Sequence, residues 1–246
     1  MLVEPRSADF AIWLIALALY VFDAAKLLSP RELLLVEAGR GRLASVFSAH
    51  PFTLTGRVLA FAPLVLPHRG AFVAGWGRAW TDDRTLAATL AALAELRATL
   101  RPARVLAVWG FALLFVIGPG LTFLLGPDSA VLYVGAVLYP TVFVAIGVLW
   151  WRRRALGLTR GHAAMVSVEI LVCPAFLPNL VRKITTAHAV EGDGAQIVLA
   201  AAGAGVKAEF LARLASRTEE LINEAGDDEG GQAQLRAYLT TVQAAR

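Results

Sequence analysis

The hydrophobic pattern of the chain is dominated by one long apolar region, Val105 to Trp151, whose only charged residue is Asp128. Apolar runs of about 18 residues or more are typical of membrane-spanning helices, which need roughly 20 residues to cross about 30 Å of hydrocarbon. Two such runs, Val105 to Gly126 and Ser129 to Trp151, flank a Gly-Pro-Asp-Ser sequence that is typical of a tight turn. The pattern predicts a transmembrane helical hairpin within residues 104–152.

A shorter apolar run near the start of the chain is a weaker candidate span. Phe10 to Phe22 contains thirteen uncharged residues, and Asp23 and Lys26 follow it. A helix from Phe10 to Leu28 would rise about 28 Å, with the Lys26 side chain extending to the interface. We predict an uncleaved anchor within residues 1–30, because the first residues are not a basic leader and no Ala-x-Ala cleavage site follows the apolar run.

The hydrophobic pattern changes its period in residues 31–80 and predicts strands there. Short segments rich in Val, Leu and Phe are separated there by Gly and Pro, a pattern typical of an antiparallel meander. The predicted strands are Glu32 to Ala38, Leu43 to Ala49, Arg57 to Phe61 and Ala71 to Trp76. About four strands bury too little apolar surface to be stable alone. We therefore expect this layer to pack on membrane-proximal helices, on C-terminal helices or on a second copy of the chain.

Residues 81–103 predict an amphipathic helix. Thr81 is the expected N-cap, Asp82 and Asp83 lie in the first turn, and the helix ends before Pro102. Its apolar face consists of Leu86, Leu90, Leu93 and Leu100. This face suits a contact with the strand layer or with another helix.

Residues 153–188 contain an ambiguous apolar stretch. Ala163 to Val181 is apolar enough for a fourth span, but Glu169 lies within it and two prolines interrupt it. Crossing would also carry Arg182 and Lys183 to the outer side, against the positive-inside rule. We expect a re-entrant or interfacial segment at the cytoplasmic face. The alternative, a fourth span, would put the C-terminal region outside.

Residues 189–246 form an acidic tail, with nine acidic residues against five basic ones. Asp193 is the expected N-cap of an amphipathic helix that ends near Gly226, and a second amphipathic helix follows a charged linker. The apolar faces consist of Leu199, Val206, Phe210, Leu214 and Leu221 in the first helix and of Leu235, Tyr238, Leu239 and Val242 in the second. Both faces require a partner, either the strand layer or another subunit.

Composition and loop charge complete the predicted fold. The 246-residue chain is 57% hydrophobic, with a mean hydropathy of +0.62, which is too apolar for an ordinary soluble domain. Residues 26–104 carry eleven basic residues against five acidic ones, and residues 152–188 carry six against one, so both loops are expected in the cytoplasm. The predicted fold class is an α+β membrane protein with three transmembrane helices, an N-terminal anchor plus a helical hairpin. A small cytoplasmic antiparallel strand layer and amphipathic C-terminal helices complete it.

Charged residues near the predicted membrane are the candidate functional groups. An ionisable side chain at membrane depth is energetically expensive and usually serves a function. Asp23, Lys26 and Glu169 belong to this class. We expect a local ion pair between Asp23 and Lys26, three residues apart on one helical face, and a nearby arginine as the partner of Glu169. The residues expected to contact lipid headgroups and to determine the orientation are Arg152, Arg153, Arg154, Arg160, Arg182 and Lys183.

No motif indicates a metal, cofactor, catalytic or nucleic-acid site. The histidines lack the spacing of metal ligands: they are His50, His68, His162 and His188. Cys173 is the only cysteine, which excludes an internal disulfide, and we interpret it as a small hydrophobic residue. There is no P-loop and no Gly-x-Ser-x-Gly motif. Because the membrane topology already requires the basic loops and the tail is acidic, no nucleic-acid partner is expected.

The leading functional hypothesis is an integral protein of a bacterial-type inner membrane, with its N-terminus outside and its C-terminus in the cytoplasm. It would act as an accessory, scaffold or interaction subunit, without an enzymatic activity. Its expected partners are membrane lipids and another membrane or cytoplasmic protein, or a second copy of itself. One alternative is a transport or channel component that uses Asp23, Glu169 and the Gly118 to Gly120 helix break. Another is a membrane enzyme acting on lipid, with Glu169 and His162 near the headgroups.

Overall fold

The computed structural model describes residues 10–38, 43–46, 52–54, 57–61, 66–188, 190–201, 204–224 and 228–245. The chain is mostly helical, with small antiparallel sheets, and its internal contacts divide it into two compact units that alternate along the sequence. The first unit comprises Met1–Lys26, Phe61–Gly70 and Glu95–His188. The second unit comprises Leu27–Ala60, Ala71–Ala94 and Ala189–Arg246.

Ten α-helices and six strands occur in the described part of the chain. The strands are β1 (Ala25–Leu28), β2 (Glu32–Glu37), β3 (Leu43–Val46), β4 (Phe52–Leu54), β5 (Arg57–Phe61) and β6 (Ala71–Gly75). The helices are α1 (Ala11–Ala24), α2 (Asp83–Thr99), α3 (Arg101–Ala112), α4 (Gly118–Leu125), α5 (Pro127–Arg152), α6 (Arg160–Val172), α7 (Leu180–Thr186), α8 (Gly194–Ala201), α9 (Ala204–Glu224) and α10 (Glu229–Ala244).

The predicted hairpin is present as two long apolar helical segments. The first, Arg101–Leu125, runs from α3 through a π turn (Leu113–Ile117) into α4, and the second is α5. Both segments are long and apolar enough to cross a membrane, and no other helix in the described ranges is. The chain reverses at Gly126, whose φ of +82° is favoured only for glycine.

The predicted helix break lies directly before Gly118. Because Pro119 has no N–H, it cannot make the regular helical hydrogen bond four residues back. The Gly118 N–H instead donates to the carbonyl oxygen of Leu113, five residues back, which gives the π turn.

Helix α1 packs antiparallel to α3 and α4. The Phe10 ring lies 4.9 Å from that of Phe123, and the Trp13 Nε1 donates to the Thr122 Oγ1 at 2.8 Å. Towards the other end of α1, the Tyr20 ring lies 5.3 Å from that of Phe115. The predicted span to Leu28 was too long: α1 ends at Ala24, and the next residues form β1.

The ambiguous stretch after the hairpin is divided into short elements. Helix α6 ends at Val172, a 3₁₀ turn covers Pro174–Asn179, and α7 follows it. The 13 residues of α6 rise about 20 Å, well short of the hydrocarbon thickness. Because Pro174 and Pro178 fall in the turn, a continuous fourth helix does not form.

Two three-stranded sheets replace the predicted four-stranded meander. Their strand orders are β1-β5-β4 and β3-β2-β6, so β1 and β4 were not predicted. In the second sheet, Leu34 of β2 pairs antiparallel with Val46 of β3 and with Val73 of β6. Consecutive side chains of β2, Leu33 to Val36, are buried, so both faces of this strand are covered. Ala49, the predicted end of a strand, lies outside the described residues.

Helix α8 packs on β2 and β3, and α9 packs against α10. The predicted single helix after Asp193 is therefore divided into α8 and α9. Its predicted end, Gly226, and the side chain of Val206 lie outside the described residues. The other predicted apolar positions are half-buried or buried: Leu199, Phe210, Leu214 and Leu221, and in α10 Leu235, Tyr238, Leu239 and Val242. The strand layer thus packs on a C-terminal helix, one of the expected arrangements.

The N-cap of α2 is Asp82, not Thr81 as predicted. The Asp82 Oδ1 accepts a hydrogen bond from the Thr85 N–H at 2.7 Å, and the helix begins at Asp83. Thr81 is instead bound to Gln196 through three hydrogen bonds of 2.7 to 3.0 Å. Along the predicted apolar face, Leu93 and Leu100 are buried, and Leu86 and Leu90 are half-buried.

Asp193 caps α8, as predicted, and also binds other parts of the second unit. Its carboxylate accepts hydrogen bonds from the N–H groups of Arg78, Ala195 and Gln196 and from the Tyr238 hydroxyl, at 2.9 to 3.2 Å. Burial nevertheless raises the pKa of Asp193 above its ordinary value. One side chain therefore connects the β6–α2 loop, α8 and α10.

Large exposed apolar side chains are concentrated on helices of the first unit. They lie on α1, α3, the π turn, α4, α5 and α6, with examples at Phe22, Val105, Leu132 and Val172. In the described part of the second unit, Leu27 is the only one. Only 28% of the apolar window in each hairpin segment is buried.

The contact between Trp13 and Gly118 gives a first prediction. A Cβ atom at Gly118 would collide with the Trp13 ring, so Gly118→Ala is expected to cost about 1–3 kcal/mol through overpacking. The matched control is Gly135→Ala on α5, where a Cβ would meet nothing within 4 Å. Thermal unfolding in detergent should show a lower midpoint for Gly118→Ala alone. Equal midpoints for the two variants would contradict the close approach of α1.

Candidate functional site: a buried ion network

Lys183 lies between two carboxylates that the sequence separates widely. Its Nζ is 2.5 Å from the Asp23 Oδ1 and 2.6 Å from the Glu169 Oε2. Asp23 is on α1, Glu169 on α6 and Lys183 on α7. We call these three residues the ion network. The Lys183 side chain is 9% exposed and the Glu169 side chain 36% exposed, so the Glu169 end of the network reaches the surface.

Asn179 extends the network to the backbone of α1. Its Nδ2 donates to the Asp23 Oδ2 at 2.9 Å and to the Tyr20 carbonyl oxygen at 3.0 Å, and its Oδ1 accepts from the Arg182 Nη1. The Arg182 guanidinium also lies 5.4 Å from the centre of the Tyr20 ring. Asn179 binds both the Asp23 carboxylate and the Arg182 guanidinium. It therefore links a second cation, Arg182, to the carboxylate that pairs with Lys183.

Local sequence explains why α7 carries its cations inward. Pro174 and Pro178 turn the chain after α6, and every residue of α7 from Leu180 to Thr185 is buried. Arg182 and Lys183 therefore point into the first unit, where the Lys183 ammonium lies 4.9 Å from the centre of the Phe176 ring. An aromatic face attracts a cation most strongly where water is excluded.

This placement differs from the position that the sequence suggested for two of the basic residues. Arg182 and Lys183 were expected at lipid headgroups, but they are buried, Arg182 to 2% exposure. The expected local pair between Asp23 and Lys26 was wrong, since Asp23 pairs with Lys183. The reason is that α1 ends at Ala24, so Lys26 lies on β1 and no longer shares a helical face with Asp23.

The other four predicted headgroup residues lie on or near the loop between α5 and α6. Arg152 is half-buried and its Nη1 donates to the Thr99 carbonyl oxygen at 3.4 Å. Arg153 is half-buried, whereas Arg154 and Arg160 are exposed. The structure therefore separates the predicted basic group into an inner pair and a surface set.

Asn179 and Tyr20 were missed by the sequence analysis. Each carries a polar group within an apolar stretch, and buried polar groups require hydrogen-bond partners. That signal marks both residues as candidates, but it does not identify Asp23, 156 residues away from Asn179, as the partner.

His162 and Cys173 lie at the edge of the network. The His162 Nε2 is 3.3 Å from the Lys183 carbonyl oxygen. His162 and Glu169 are seven residues apart on α6, which is about 10 Å along the helix axis. Cys173 ends α6 through its N–H, which donates to the Glu169 carbonyl oxygen at 2.9 Å. Among the described residues, no group of three His, Cys, Asp or Glu side chains is arranged to hold a metal ion.

The chemistry available here is electrostatic. One ammonium compensates two partly buried carboxylates, and removing it would leave both without an ion-pair partner among the described residues. Carboxylates and an ammonium can also exchange protons, and carboxylates can bind a small cation. The geometry thus supports a structural role directly and an ion-handling role chemically.

The network predicts a large stability loss for Lys183→Met. Breaking a buried ion pair leaves uncompensated charge, at a cost of about 3 kcal/mol or more, or roughly 6–12 °C in the unfolding midpoint of a chain of this size. Arg213→Met is the matched control, because Arg213 forms an exposed pair with Glu209 worth about 0.3–0.5 kcal/mol. Thermal unfolding in detergent measures both. Similar midpoints for the two variants would show that the network does not stabilise the fold.

Comparison with known proteins gives no relative from which a function can be transferred. The chain matches no protein-family model, no curated protein and no solved structure.

Proposed function

We propose that this chain is an integral membrane protein with three spans whose second unit faces water and acts as an accessory, scaffold or interaction subunit. The observation that carries the proposal is the confinement of large exposed apolar side chains to the first unit, apart from Leu27, within the described residues. Exposed apolar surface of this extent is unfavourable in water and favourable against lipid. The low burial of the hairpin segments, 28% of each window, argues against core helices of a soluble protein.

The contacts of α1 support a role as the third span. Its 14 residues rise only about 21 Å, but its Phe10 end contacts Phe123, close to the hairpin turn. From there α1 follows the hairpin as far as Tyr20, whose ring lies 5.7 Å from that of Phe111. Exposed Ile15 and Phe22 would face lipid, while Trp13 is buried against the hairpin.

Charge supports the orientation of these spans. The exposed Arg154 and Arg160 follow α5, and the only charged residue at the hairpin turn is Asp128. Basic loops remain on the cytoplasmic side. The turn would therefore face outward, and the second unit would lie in the cytoplasm of a cell with a bacterial-type inner membrane.

The surface of the second unit favours a polar interaction. Its described apolar faces are largely covered by contacts within the unit, whereas α9 carries exposed acidic side chains, among them Glu209, Glu219 and Glu220. Some are paired locally, as in Glu220 with Arg217 at 2.6 Å. We therefore expect a partner protein, or a second copy, to bind through charged groups and not through an apolar groove.

A component for transport of protons or small cations is the second candidate. It is favoured by the ion network, in which Asp23 at the end of the predicted N-terminal anchor contacts Lys183, and Lys183 contacts Glu169 in the predicted interfacial or re-entrant segment. Ionisable groups at membrane depth are frequent in ion pathways. Ion flux into vesicles containing only this protein would support transport over the accessory role. Flux equal to that of protein-free vesicles would exclude the transport role.

The topology predicts which sites can be labelled from each side of the membrane. In a Cys173→Ser background, Asp128→Cys should react with a membrane-impermeant maleimide only from outside. Ala155→Cys and Ala244→Cys, which replace exposed residues, should react only from the cytoplasmic side in inverted vesicles. Labelling of all three positions from the same side would exclude the proposed orientation, and release of the protein by alkaline extraction would exclude membrane integration.

The accessory role predicts a protein neighbour for α9. A photo-reactive amino acid replacing the exposed Glu219 should form a crosslink to a discrete protein chain in native membranes. The control position is Leu132 on α5, which is 72% exposed and should crosslink to lipid. An absence of protein crosslinks from Glu219 and its exposed neighbours on α9 would argue against an interaction subunit.

A further inference from the structure

The loop between α5 and α6 and the first residue of α6 carry basic side chains that no group in the described part of the chain neutralises. The side chains of Arg153, Arg154 and Arg160 make no hydrogen bond or ion pair in the described part of the chain. By contrast, Lys183 binds two carboxylates and Arg152 donates to a backbone carbonyl. We call Arg153 and Arg154 of this loop, together with Arg160 at the start of α6, the loop arginines. They are the part of the basic group that is available to an external anion.

The backbone of this loop is held in place. Leu156 N–H donates to the Arg152 carbonyl oxygen at 2.9 Å, and Leu158 N–H donates to that of Arg153 at 3.0 Å. The side chains of Leu156 and Leu158 are buried, which anchors the loop on the first unit. A loop that is already ordered loses little conformational entropy when it binds a ligand.

Exposed aromatic and apolar side chains precede and follow the loop arginines in the sequence. Trp151, directly before them in sequence, is 84% exposed. The Trp150 Nε1 donates to the Ser167 Oγ at 3.1 Å, which fixes the end of α5 against α6. On α6, Met165, Val168 and Val172 recur at spacings of three and four residues and are exposed, so they form one apolar face. Tryptophan next to arginine at the end of an apolar helix is typical of a lipid–water boundary.

We propose that the loop arginines bind the phosphate groups of anionic glycerophospholipids, whose acyl chains contact the exposed apolar face of α6. This inference rests on the proposed membrane function and names the class of lipid that the protein selects. A guanidinium donates two parallel N–H groups to one phosphate. No acidic residue occurs from Arg152 to Val168, so the loop itself offers no repulsion to an anion.

The test compares lipid binding by the full-length protein. The wild type and a triple variant, Arg153→Gln, Arg154→Gln and Arg160→Gln, are reconstituted in nanodiscs of phosphatidylcholine alone or mixed with phosphatidylglycerol. Native mass spectrometry of the released protein then gives the relative affinities for the two lipids. The control is a second triple variant with the same change of charge at exposed arginines of the second unit: Arg31→Gln, Arg57→Gln and Arg84→Gln.

The wild type should prefer phosphatidylglycerol on the order of a hundredfold at low salt, since each basic residue near an anionic surface contributes about fivefold. The preference should decrease with added NaCl, disappear largely in the loop variant and persist in the control variant. No preference in the wild type, an equal loss in the control, or displacement by inorganic phosphate at matched ionic strength would each overturn the inference. Stable incorporation into phosphatidylcholine without a preference overturns this inference alone, whereas failure to enter either nanodisc overturns the proposed function as well.

Discussion

The arrangement of the first unit depends on the compensation of the Lys183 ammonium by the Asp23 and Glu169 carboxylates. A cation removed from water is stable only when opposite charge and hydrogen bonds replace its hydration. Meeting this requirement brings α1, α6 and α7 together at one point. Asn179 adds a hydrogen bond to the end of α1 and places Arg182 beside it. The ion network therefore determines how the chain after the hairpin packs on the first helix.

The hairpin provides the surface against which this arrangement forms. Trp13 fits against Gly118, next to the π turn, and bonds the Thr122 hydroxyl, so α1 has a defined position along α3 and α4. Its far end then carries Asp23 to the level of the turn after α6. A shift of α1 by one helical turn would move Asp23 about 5 Å, too far for a hydrogen bond to Lys183. The packing of the Trp13 ring and the ion pair of Asp23 with Lys183 thus specify the same position of α1 along the hairpin.

The two units bury their apolar residues in different ways. In the second unit, Asp193 connects the β6–α2 loop, α8 and α10, and the described apolar side chains of β2 are covered on both faces. In the first unit, apolar side chains of five helices and the π turn remain exposed. This difference is the one that our proposal of a lipid-solvated first unit and a water-solvated second unit requires.

The sequence alone was sufficient for features that depend on local pattern. The hairpin segments, the turn at Gly126, four of the strands and the Asp193 cap follow from run length, glycine and proline positions and capping chemistry. It also identified Asp23 and Glu169 as unusual charges. It did not predict that α1 ends at Ala24, that Thr81 binds Gln196 instead of capping α2, or that β1 and β4 form.

Only the tertiary structure decided that Lys183 joins Asp23 and Glu169, while Arg154 and Arg160 remain at the surface. Periodicity fixes which face of an element is apolar, but the partner of a charge depends on which distant elements meet, and no local pattern encodes that.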